Sequence, residues 1–158
     1  MTQQRNAPFF VPGEKIILTR HGVWLADGIE VTHHPTRVLF AKNLRKDSDG
    51  YFIQVGYEAK RIIVEDTPYF IHSFQKESDG GIILFLNDET QEKLRPDTLK
   101  YLPARLTCLL HRGEEAKFLH AAYFDLLKDL EEDETSYYLT LITLGKSARI
   151  TLSSKKGS

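Results

Sequence analysis

Cysteine occurs once in the 158 residues, as Cys108, so the fold holds no internal disulfide. Cys108 sits in an apolar strand-like run, 106–110, and reads as a small buried hydrophobe rather than a reactive thiol. Long hydrophobic runs are missing too. The longest, Ile82–Leu86, is far too short to cross a bilayer, which excludes membrane insertion by a helix. Residues 1–5 lead into no hydrophobic signal region, and a cytoplasmic location is expected. A basic excess is also lacking: the net charge is -1 and the pI about 6.6, against a dominant nucleic-acid surface. No G-x-G-x-x-G and no G-x-S-x-G occurs, and the six histidines have no zinc-site spacing. No metal, cofactor or catalytic residue is therefore assigned.

What is present is an ordinary globular composition, 41% hydrophobic and 27% charged. The length suits one good core or two small lobes. The stretch 34–69 organises the reading. Pro35 suits a first helical position, where a missing N–H costs nothing. Val38, Phe40, Ala41 and Leu44 follow as a crude helical stripe. Asp47-Ser48-Asp49-Gly50 stops the helix, 51–55 is an aromatic strand, and 61–64 returns. The same order comes back near the C-terminus: a helix, an acidic turn at 131–136, a strand at 137–141, a turn at Gly145-Lys146-Ser147 and a return at 149–152. A duplicated helix-plus-hairpin unit is expected.

Elsewhere, strands are expected at 16–18, 23–26 and 29–31, the last two joined by Asp27-Gly28. Trp24, the single tryptophan, is a core or interface anchor. Residues 69–74 and Ile82–Leu86 form a hairpin through Ser78-Asp79-Gly80-Gly81. Residues 90–102, with Pro96, make a connector containing a helical turn. After the strand 105–110, a long helix over 114–130 is expected, with Ala116, Leu119, Tyr123, Leu126, Leu127 and Leu130 on its core face and Glu114 and Glu115 in its first turn. The fold class is α+β, mostly antiparallel: an N-terminal arm (1–20), an N-terminal lobe (21–90), a C-terminal lobe with the long helix (91–152) and a disordered tail (153–158).

Chemistry is thinly signalled. Gly145-Lys146-Ser147 ends like a P-loop, but Thr140 stands where that motif needs glycine, and a strand follows. Asp47, Asp49 and Gly50 lack the oxygen ligands and closing glutamate of a calcium loop. His120, one position after Leu119, lies at the edge of the helical stripe, and Glu65-Asp66 is an acid pair at a strand end.

The segments Gly28 … His34-Pro35 … Leu39-Phe40 … Leu44 … Asp47-Ser48-Asp49-Gly50-Tyr51 … Glu58 … Val64-Glu65-Asp66-Thr67-Pro68-Tyr69 resemble the bacterial domain-of-unknown-function family 1285. Asn87-Asp88 and Arg112-Gly113-x-x-Ala116 … Tyr123-Phe124-x-Leu126 extend the likeness, which spans about 22–145. The resemblance implies a duplicated core, a C-terminal lobe similar to the pleckstrin-homology fold, a nucleotide-like ligand between the lobes and a role in signalling. The family pattern favours arginine where this chain has His120, exchanging a permanent cation for a titratable one. The C-terminal hairpin also departs from that pattern.

The leading expectation is a non-enzymatic cytoplasmic sensing domain for a small anion, contacted by Glu65, Asp66, Asn87, Arg112, His120 and Tyr123. The alternatives are a protein-interaction module using edge strands and the acidic turn, and a hydrolase using the acid pair with His120.

Overall fold

A computed structural model describes residues 8–143 and 146–155. By contacts the chain divides into two compact units, Met1–Pro68 and Tyr69–Ser158. Strands dominate, with two α-helices among the described residues, so the class is α+β with a heavy β share.

Unit 1 begins with β1 (Phe9–Phe10), β2 (Ile16–Leu18), β3 (Trp24–Ala26) and β4 (Ile29–Glu30). Asp27 and Gly28, with φ of 50° and 80°, make the tight turn between β3 and β4, a left-handed conformation that aspartate and glycine tolerate. Helix α1 (His34–Lys42) follows with Pro35 in its first turn. Then come β5 (Leu44–Asp47), β6 (Gly50–Val55) and β7 (Glu58–Val64). The sheet order is β4-β3-β2-β7-β6-β5, antiparallel except that β2 and β1 both run parallel to β7. Trp24 meets Phe40 of α1 edge-on, ring centroids 5.3 Å apart, and Leu18, Val38, Ala41 and Ile62 complete a buried core.

Unit 2 has β8 (Tyr69–Lys76), β9 (Ile82–Leu86), β10 (Gln91–Lys93), a 3₁₀ turn at Pro96–Thr98, β11 (Lys100–Leu102), β12 (Arg105–Leu109) and β13 (Glu115–Phe118). Their order is β10-β9-β8-β13-β12-β11, and β8 runs parallel to β13. Helix α2 (His120–Leu127) leads into a separate antiparallel sheet of β14 (Glu131–Glu132), β15 (Ser136–Thr143) and β16 (Lys146–Ser154). Phe70, Leu86, Leu106 and Leu110 are fully buried, each contributing roughly 1.5–3 kcal/mol of burial.

Several expectations need correction. The division falls after Pro68, not at 90/91, because β8 pairs with both β9 and β13, tying 69–93 to the chain that follows. The helix expected over 114–130 begins only at His120. Glu115-Ala116-Lys117-Phe118 alternates half-buried with buried, the period of a strand, and β13 sits between β12 and β8. Glu114 therefore precedes a strand and Glu115 opens it. Helix α1 ends at Lys42, capped by Asn43, since buried Leu44 opens β5 and pairs with Ile53. The Asp47–Gly50 segment is thus a hairpin turn rather than a helix stop. The expected N-terminal arm supplies β1 and β2, with residues 1–7 outside the described residues, and Ser153 and Ser154 of the expected tail lie in β16. Gly145 and residues 156–158 fall outside the described residues.

Candidate functional site

Two of the six expected contact residues lie in unit 1. Glu65 follows β7, where its backbone N–H donates to the Leu18 carbonyl (3.0 Å) and its Oε1 accepts the Arg20 N–H (3.0 Å). Asp66 is exposed beside it. The acid pair finishes the strand end, as its position after an apolar run suggests.

The other four lie in unit 2, in two clusters. The first gathers at the start of β8. Asn87 Oδ1 accepts the Phe70 N–H (3.1 Å), while the Asn87 N–H donates to the Phe70 carbonyl (3.0 Å), so Asn87 stitches the end of β9 to β8. Next to it, Asp88 is 3% exposed, and its Oδ1 accepts from both the backbone N–H and the hydroxyl of Thr90. Arg112 donates to Asp88 Oδ2 at 3.4 Å and lies over the Tyr69 ring, 4.4 Å from its centroid. Burial pushes the Arg112 pKa down, but hydrogen bonding to the Tyr69 hydroxyl and the charge of Asp88 outweigh it, and the net shift is upward. The guanidinium thus has its carboxylate partner in place. An incoming anion would meet a pair already close to neutral.

The second cluster is on α2. Phe124 is 57% exposed, and its ring takes His120 edge-on at 4.9 Å and Tyr123 at 5.2 Å. His120 is exposed at the helix start. Tyr123 is half-buried, and burial followed by a hydrogen bond with Tyr101 raises its pKa. Phe124 forms one wall of a groove of about 480 Å³ between α2 and β8, with His72, Ser73 and Phe74 opposite. That volume is in the range of ligand sites, though this groove is wide open to solvent. A β-bulge interrupts the β8–β9 pairing between Ile71 and Ser73, at the groove's edge.

The structure therefore joins Asn87 with Arg112 around β8's first residues, and His120 with Tyr123 around Phe124. Sequence reasoning missed Asp88, Thr90, Tyr69 and Phe124 as members of these clusters. Asp-x-Thr is a local hydrogen-bonding signature, and Phe124 lies off the apolar stripe of its helix, so both left a trace. Among the described residues no group of three or more His, Cys, Asp or Glu could hold a metal, and no helix is long and apolar enough to cross a membrane.

The molecule is thus an α+β protein of two units, each with a six-strand path in which the first strand runs parallel to the last. No protein-family model and no curated protein matches the chain. Solved structures do. A DUF1285 family protein from Silicibacter pomeroyi DSS-3 is similar with a TM-score of 0.68 and 16% identity, over 92% of this chain and 84% of that one. A DUF1285 family protein from Shewanella baltica OS155 is similar with a TM-score of 0.58 and 22% identity, over 73% of this chain and 91% of that one. At such identities the likeness is one of fold. In fold the chain is DUF1285-like, as the resemblance in sequence implies.

Proposed function

We propose that this protein is a non-catalytic binding domain whose site is the groove between β8 and α2. One observation carries this reading: Phe124 is held in water by two flanking rings beside an open groove. An apolar ring kept exposed in that way gains by being covered. His120 and Tyr123, expected contacts from the sequence, flank that ring. A cytoplasmic sensing role is in keeping with the single thiol: Cys108 is buried, and burial pushes its pKa up to about 12, a protonated group suited to a reducing compartment.

A nucleotide-like anion, with a signalling role, is the second reading. Its support is Arg112, whose side chain is 37% exposed over the Tyr69 ring. Neutralisation by Asp88 weighs against it. A hydrolase has less support, since Glu65 Oε1 is engaged by the Arg20 N–H at the strand end. The duplication is supported by the shared strand order of the two large sheets, and unit 2, strand-rich with one helix, is compatible with a pleckstrin-homology likeness.

The test is thermal denaturation with a panel of nucleotides, acidic metabolites and short peptides, run on the wild type, Phe124→Ala and Arg112→Ala. A ligand at about a hundred times its Kd stabilises the native state by roughly 2.7 kcal/mol. Stabilisation lost in Phe124→Ala and kept in Arg112→Ala is the expected result. A ligand that ignores Phe124→Ala contradicts the groove assignment, and one lost only in Arg112→Ala moves the site to the anion cluster.

A further inference from the structure

Strand β8 is longer than the partner on one of its edges. Antiparallel β9 runs along one side as far as Lys76. On the other side parallel β13 covers only Tyr69, Phe70 and Ile71. The chain then leaves the sheet: the Leu119 N–H donates to the Ile71 carbonyl (2.9 Å), and α2 begins at His120. Beyond Ile71, residues 72–76 have no strand on that edge among the described residues. Every second residue of such an edge turns its N–H and C=O outward, ready to pair with another extended chain. His72, Ser73 and Phe74 of this stretch line the groove together with Ala121 and Phe124.

Unit 1 has a surplus edge of its own, on β7, its last strand in chain order rather than its first, and covers part of it. There β2 pairs with β7 only at Ile62, Ile63 and Val64. At the other end of β7, Glu58 and Ala59 are taken by β1, a short extended segment lying parallel to them. The Phe9 N–H donates to the Tyr57 carbonyl and the Val11 N–H to the Ala59 carbonyl, both at 2.8 Å. An aromatic side chain secures it: Phe10 packs edge-on against Phe52 at 5.4 Å and under the Arg61 guanidinium at 4.5 Å.

From this we infer that the groove of unit 2 binds an extended peptide, which adds to residues 72–76 of β8 as a strand and lays apolar side chains against Phe124. The inference rests on the groove reading above and names its occupant. The added strand continues the sheet where β13 stops. The flanks select no charge, because Asp125 pairs with Lys128 (3.0 Å) and Lys76 with Asp129 (3.3 Å), so the fitting peptide is near neutral and alternates apolar with polar residues. A second folded copy fits poorly. A stable interface needs more than about 1,000 Å², and this edge with one exposed ring offers on the order of a few hundred. Main-chain hydrogen bonds supply what area does not.

The experiment uses two probes on the full chain: a blocked heptapeptide alternating valine and threonine, and the same peptide methylated at alternate backbone nitrogens. Methylation removes donors and leaves the side chains unchanged, and the protein is not altered. Titration followed by amide NMR should place the unmethylated peptide on 72–76 and α2, slow amide exchange there, and give a Kd about tenfold tighter than the methylated one for each hydrogen bond lost. Phe124→Ala should weaken it further. If both peptides bind equally and both are lost in Phe124→Ala, the groove reading stands and strand addition is overturned. If neither peptide binds at millimolar concentration, strand addition is likewise overturned, and the ligand panel decides the groove reading separately.

Discussion

The two large sheets of this chain follow one plan and finish it differently. Numbered within each unit, leaving β1 aside, the strand order is 3-2-1-6-5-4 in both, with the first strand parallel to the sixth. In unit 1 the link from third to fourth strand is a full helix, α1, whose Phe40 packs on Trp24. In unit 2 the same link is a single 3₁₀ turn, and the helix comes after the sixth strand instead. That shift has a consequence at one edge. Unit 1 uses β1 to cover Glu58 and Ala59 of β7, its sixth strand, whereas unit 2 leads straight from β13 into α2 and, among the described residues, leaves 72–76 of β8, its first strand, with no strand on that edge. The two edges are not equivalent positions of the plan, but β1 shows the kind of element, a short extended segment, that fills such an edge.

The comparison can be broken most strongly by truncating the aromatic at each edge. Phe10 is 38% exposed but engaged by Phe52 and Arg61, so Phe10→Ala should destabilise unit 1 by about 1–2 kcal/mol, below the fully buried range. Phe124 is 57% exposed, touched edge-on by His120 and Tyr123, so Phe124→Ala should cost under about 0.5 kcal/mol. Urea denaturation of both variants checks this. Equal losses would mean that the α2 ring is as well packed as the β1 ring, and the contrast would fall.

A smaller effect sharpens the description of the sealed edge. The Arg61 guanidinium that covers Phe10 also grips Asp47, at 2.7 and 3.1 Å, and this hydrogen bonding holds the Asp47 carboxyl below its usual value of 3.8. A group depressed in the folded state stabilises it above the unfolded pKa, and that contribution is lost as pH falls through the folded pKa. The stability gap between wild type and Asp47→Asn should therefore be constant from neutral pH down to about pH 4, then shrink and vanish under stronger acid. Urea titrations across that range read it directly. A gap that persists unchanged into strong acid would show that the carboxylate charge contributes nothing.

Local patterns were legible where periodicity and turn chemistry agreed. Strand β9 has the bounds that its unbroken apolar run suggests, the Ser78–Gly81 hairpin turn joins it to β8, and Pro35 opens α1. What the sequence hid was set by pairing across distance. Leu44 reads as the end of a helical stripe, yet its burial against Ile53's strand makes it the start of β5. Ala116 and Phe118 fit a helical stripe as well as an alternating strand, and only their place between β12 and β8 decides between them. The unit boundary was hidden for the same reason, since the parallel pairing of β8 with β13 joins segments far apart in the chain. As for the candidate site, single residues were legible and their partners were not. Arg112 stood out as a cation, but nothing in its neighbourhood announced that buried Asp88 and Tyr69 hold it.

The most direct test of the account is amide hydrogen exchange along β8 in the free protein, with β7 as the internal reference. If the edge is open, residues 72–76 should split into two classes, every second amide exchanging at least about tenfold faster than its neighbours bonded to β9, while the doubly paired parts of β7, 58–59 and 62–64, show no such split. Uniformly slow exchange across 72–76 would contradict it, because some part of the chain would then already occupy the edge assigned to a partner.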